Sequence, residues 1–143
     1  MFPYRRILCA VDFDSNATSA IQEAGALARA VDGVVILFHA QWTNPVALEG
    51  YELAELQNPR GGDALLKLKE LGRSALGGAN YECDIALGEP GENILQTAKR
   101  CSADLIVIAT HGRHGLSRLV LGSVAERVVR GSTVPVLTVR RRP

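Results

Sequence analysis

Lysine is almost missing from this chain. Three of its 16 basic residues are Lys, and none lies between positions 100 and 143, so the positive charge there is all arginine. This excludes the G-x-x-x-x-G-K-[ST] loop of P-loop nucleotidases, where a lysine must reach the phosphates. No G-x-G-x-x-G follows the first strand-like run, which excludes the dinucleotide fingerprint of a Rossmann site. Cys9, Cys83 and Cys101 form no C-x-x-C pair, and an odd number spread along the chain does not make a disulfide framework. They read as reduced core residues of a cytoplasmic protein. No apolar run approaches the roughly 20 residues of a membrane span. The first residues pass directly into a strand pattern without a signal-peptide apolar region, so no membrane partner is expected. There is no excess of one charge either. The formal net charge is +1, without the basic bias of a general nucleic-acid binder.

What is present suffices for one core. A chain of 143 residues, 47% hydrophobic and 22% charged, fits a single domain over 1–143. "RRILCAV" (5–11), "VVILFHA" (34–40) and "DLIVIA" (104–109) are short continuous apolar runs, the mark of strands buried on both faces. "YECDIAL" (81–87) alternates and reads as a less buried strand, and "VPVLTVR" (134–140) closes the series. Between them, Ala17, Ala20, Ile21, Ala24, Leu27, Ala28 and Val31 recur at helical spacing, with Ser15 as the N-cap and Asp32-Gly33 as the stop. A second helix spans about 64–76 on Leu65, Leu68, Leu71 and Leu76, a third opens at "GEPGEN" with Pro90 in its first turn, and a fourth covers 124–130. Residues 41–63 are broken by Pro45, Gly50, Pro59, Gly61 and Gly62, with room for a short helix over 51–57. Strict strand–helix alternation implies an α/β fold, a Rossmann-like open five-stranded parallel sheet with helices on both faces and right-handed crossovers; its strand order is taken as 3-2-1-4-5.

In such a sheet, ligands sit beyond the carboxyl ends of the strands, where the strand order reverses. With that order the place lies between strands one and four, at Asp12 and at the segment 109–123. Gly112 and Gly115 can take positive φ and turn successive N–H groups into one concavity. Arg113 and Arg118 bring charge. Ser123 and Glu126 match a capping box at the start of the fourth helix, whose free N–H groups suit a phosphate. The same residues also fit a plain turn and a plain cap. His111 and His114 have no cysteine or carboxylate directly beside them, and no Ser-His-Asp arrangement is visible, so neither a metal site nor a nucleophilic enzyme is expected. His39, within a buried strand, reads as a hydrogen-bonded core histidine. Asp12 beside a phosphate would be repelled unless it meets ribose hydroxyls or a divalent cation; its other reading is a cap for the following turn.

These stretches together resemble the universal stress protein family over essentially the whole chain. The resemblance rests on "ILCAVDFDSNATSA", "ILFHA" and above all "DLIVIATHGRHGLSRLVLGSVAERVVRGSTVPVLTV". The nucleotide-binding branch of that family carries G-x2-G-x9-G-[ST]. Here the positions read Ala109, Gly112, Gly122 and Ser123, with the spacing kept and the first glycine replaced. Alanine fits there if its backbone is strand-like and fails if it needs positive φ. The resemblance implies that Gly112, Gly122 and Ser123 hold phosphates, with Val124 just inside the helix. It implies that Val11 and Asp12 lie along ribose and adenine, and that the Ala40 backbone faces the adenine edge. Arg113 and Gly115 fit the family's HGRxG variant. The implied cofactor is ATP, with Mg or Mn as the accompanying cation, and the implied partner is a second copy joined through strand 134–140. Three functions follow: an ATP-binding regulatory protein of the stress response with at most slow hydrolysis, an ATP-hydrolysing or phosphoryl-transferring enzyme, and a dimeric interaction module without nucleotide.

Overall fold

The computed structural model describes residues 4–13, 17–41, 61–110 and 122–140. Ser15, the expected helix over 51–57, and Gly112, Arg113, Gly115 and Arg118 with the two loop histidines lie outside the described residues. The elements run β1 (Arg6–Ala10), α1 (Ala17–Val31), β2 (Val34–Gln41), α2 (Gly61–Ala75), β3 (Asn80–Leu87), α3 (Pro90–Arg100), β4 (Leu105–Ala109), α4 (Ser123–Gly131) and β5 (Val136–Val139). All four strand pairings are parallel, as the alternation implies, and the order is β3-β2-β1-β4-β5, the one expected.

The apolar runs are continuous because alternate side chains feed two different cores. Ile7, Cys9, Val35, Leu37, Leu105 and Val107 face the layer of α1 and α2. Leu8, Ile36, Phe38, Ile106 and Ile108 face the layer of α3 and α4. The three inner strands carry most of this burial. Phe38 is fully buried, and removing such a ring from water contributes about 1.5–3 kcal/mol. Of the three thiols only Cys9 is core, its pKa pushed up to about 12 by burial. Cys83 and Cys101 are half-buried, and all three are free.

Two boundaries differ from the sequence reading. The second helix starts at Gly61 rather than 64, so Gly61 and Gly62 open it instead of interrupting the chain before it. Their low propensity, about 1 kcal/mol each, is offset by a stripe that buries Ala64, Leu68 and Ala75. β5 is shorter than 134–140 because Pro135 has no N–H for the ladder. Its carbonyl still accepts from Ile106 N at 3.0 Å.

α1 lies unusually close to the end of α2. A Cβ at Gly25 would stand 2.7 Å from the Leu76 carbonyl oxygen, closer than non-bonded atoms approach. That carbonyl also accepts from Arg29 Nη1.

Candidate functional site

β1 pairs with β2 on one side and β4 on the other, so its carboxyl end is the point where strand order reverses. Several predicted residues meet there. Val11, Asp12, Ala40, Ala109 and Val124 line one crevice of about 90 Å³. Gly122 and Ser123 immediately precede Val124 at the start of α4. The crevice is walled by six residues that the sequence reading did not single out: Ala10, Phe38, Pro90, Ile94, Ile108 and Ala125. Strand alternation contains that signal, since residues 10, 38 and 108 share the α3–α4 face of the sheet. The crevice is mostly apolar, with the exposed Asp12 at its polar side. A larger hollow of about 600 Å³ lies by α1 and α2, lined by Phe13, Lys67 and Arg73 among others, and none of the predicted residues reaches it.

Two helices begin beside the crevice, and they begin differently. α3 is closed by its own cap: Glu89 accepts from Gly91 N at 2.8 Å and from Glu92 N at 2.7 Å. That carboxylate already answers the positive end of the helix. α4 has Gly122 as its N-cap, with no side-chain cap bond. The capping box expected from Ser123 and Glu126 is not formed. Ser123 is the first helical residue rather than the cap, and Glu126 turns to Arg130 at 2.7 Å. Gly122 stands at φ 83° and ψ 146°, a conformation that a Cβ strains. The glycine cap brings no side-chain oxygen to the N–H groups of the first turn, and its carbonyl accepts from Glu126 N at 2.9 Å.

Arg127 of α4 is engaged sideways. It donates to Glu92 at 2.8 Å and lies 3.6 Å from Glu89, tying α4 to α3. The hydrogen bond from Arg127 holds the Glu92 carboxyl below its ordinary range, and the same bond raises Arg127. His39 donates from Nδ1 to the Val11 carbonyl at 2.7 Å, as expected, but it is half-buried rather than a core residue. Among the described residues, no cluster of three His, Cys, Asp or Glu side chains could hold a metal ion. No described helix is long and apolar enough to cross a membrane.

The parallel sheet with this order matches one known family over nearly the whole chain. The universal stress protein family model fits residues 3–140. The chain belongs to the universal stress protein family. Universal stress protein MJ0531 of Methanocaldococcus jannaschii is 33% identical over 143 aligned residues, spanning 96% of this chain and 83% of that protein. The solved structure of MJ0577 from the same organism superposes with a TM-score of 0.82 at 30% identity, with 99% of each chain covered. A universal stress protein of Archaeoglobus fulgidus, solved in complex with dAMP, shares the fold at a TM-score of 0.67 and 22% identity, over 96% of this chain and 98% of that one.

Within this universal stress protein, Ala109, where the sequence resemblance led us to expect a glycine, is ordinary strand. Ala109 ends β4, pairs with Val139, and is not among the residues of positive φ. Its methyl packs against the α1 side of the sheet, whereas the crevice opens toward α3 and α4. The Cβ that distinguishes it from glycine thus points away from the slot, and the backbone at 109 lines it as glycine would.

Proposed function

We propose that this universal stress protein binds an adenine nucleotide, with ATP as the ligand, and acts as a regulatory protein of the stress response. The observation that carries the reading is the glycine-capped start of α4, with no side-chain cap bond, beside an apolar slot at the sheet's switch point. A slot of about 90 Å³ is far smaller than the 300–1,000 Å³ of a complete ligand pocket. It suits part of a flat base against Val11, Phe38 and Ala40. Ribose and phosphates would lie outside it, over Asp12 and the first turn of α4, where Gly122, Ser123 and Val124 present backbone N–H groups. Gly112, Arg113 and Gly115 would close over the phosphates. Asp12 would meet ribose hydroxyls or a Mg or Mn ion bridging to the phosphates. The relative solved with dAMP supports adenine as the base.

Turnover would be slow at most. Phosphoryl transfer needs a positioned nucleophile and concentrated positive charge. Among the described residues, Asp12 is the only acid lining the crevice, and Arg127 is held by Glu92. The protein would form one domain over 1–143, act in the cytoplasm, and pair with a second copy through 134–140. Titration with Mg-ATP tests the reading, with two variants beside the wild type. Gly122→Val should abolish binding at the helix start, and Ala40→Leu should fill the slot. Wild-type affinity in both folded variants would place the nucleotide elsewhere.

A further inference from the structure

β1 stops pairing with β2 at Ala10↔Phe38, yet the chain does not leave the sheet there. Val11 N still donates to Phe38 O at 2.8 Å. The Val11 carbonyl, however, is taken by a side chain. His39 Nδ1 lies 2.7 Å from it, and since a carbonyl only accepts, Nδ1 carries the hydrogen. Two residues on, Phe13 adopts φ 62°, which a bulky side chain rarely does. Its ring sits against the same imidazole, with centroids 4.2 Å apart and planes tilted by 41°. Lys67 Nζ lies 5.5 Å from the centre of the Phe13 ring. One histidine therefore grips the residues on both sides of Asp12.

This rests on the nucleotide reading above: we infer that His39 is a positioning residue of the site, fixing the Val11–Asp12–Phe13 turn from the far side of the sheet. The peptide geometry says how. The Val11 N–H and C=O both point toward β2. A trans peptide sets the next N–H opposite to that carbonyl, so the Asp12 N–H turns toward β4, into the gap where the strand order reverses. The Phe13 ring contact holds the left-handed residue that brings the chain away from the sheet after Asp12. His39 itself does not line the crevice; it acts through Val11 and Asp12, which do.

The test compares His39→Leu, which keeps bulk and loses the donor, with His39→Asn, whose side-chain amide nitrogen stands as far from Cβ as Nδ1 does. Ile21→Val, in the α1 core away from the crevice, serves as a control lowered in stability alone. Mg-ATP affinity is measured for all of them, together with amide hydrogen exchange at residues 11–13 in the free proteins. His39→Leu should bind roughly tenfold more weakly and exchange faster at 11–13. His39→Asn should recover most of both, and Ile21→Val should bind as the wild type does. Wild-type affinity in His39→Leu, or equal losses in the leucine and asparagine variants, would overturn the positioning role and leave the nucleotide reading standing. A wild-type protein that binds no adenine nucleotide would overturn both.

Discussion

At the scale of the residue, the site turns on two backbone positions. Gly122 needs its glycine, because φ 83° with ψ 146° leaves no room for a Cβ without strain. Ala109 does not, because its methyl lies on the α1 side of β4. Ala109→Gly, which restores the family's motif, should therefore leave Mg-ATP affinity within about twofold. It should also lower stability by about 0.5–1 kcal/mol, the entropy cost of glycine within a strand. A large gain in affinity would mean that the methyl does obstruct the ligand. Cys9 offers a separate check on burial. With its pKa at about 12 and no exposed surface, it should resist thiol reagents at neutral pH while Cys83 and Cys101 react first, read by mass spectrometry.

At the scale of the element, close helix packing sets the frame. Gly25→Ala ought to help α1 by about 1 kcal/mol on propensity alone. The Leu76 carbonyl 2.7 Å from the added Cβ is backbone and cannot swing aside, and overpacking of this kind costs about 1–3 kcal/mol. The clash should win, so a denaturant melt should show a net loss. The α3–α4 tie has a pH dependence whose sign follows from Glu92. Its folded pKa is lowered, so its contribution is present above the unfolded carboxylate value and lost as pH falls through the folded one. Arg127→Met should therefore narrow its stability gap to the wild type in acid. The gap should also shrink with salt, because both groups are half exposed.

These elements were legible in the sequence to different degrees. The continuous runs at 5–11, 34–40 and 104–109 announced inner strands because burial on both faces removes polar positions. The start of α2 at Gly61 was not legible, since glycine propensity argued against a helix that packing through Leu68 imposes. At the site, the strand order put Asp12 at the switch point, and the resemblance added Ala40, Ala109 and Val124, which line the same crevice. The role of Ser123 was misread, because S-x-x-E is satisfied by pattern while Gly122 takes the cap in space. The walls at Phe38, Ile94 and Ala125 were hidden, as apolar residues in strands and helices look the same whether they face core or crevice.

At the scale of the whole molecule, the sheet ends in two unlike edges. β3 is eight residues long, and β5 only four, with all four half-buried. Pairing of two copies along β5 would extend the sheet through the outer N–H and C=O groups of that strand. Sedimentation should give twice the mass of one chain, and Thr138→Arg, which sets charge against charge across that edge, should give the monomer. An unchanged dimer in Thr138→Arg would place the contact elsewhere. The central claim is that the switch-point crevice and the glycine-capped start of α4 form an adenine nucleotide site. Thermal unfolding of the wild-type protein with and without Mg-ATP tests it most directly. At about 100 times the dissociation constant a ligand stabilises the folded state by roughly 2.7 kcal/mol, and each kcal/mol raises Tm by about 2–4 °C for a domain of this size. The account predicts a rise of several degrees; an unchanged Tm at millimolar Mg-ATP would contradict it.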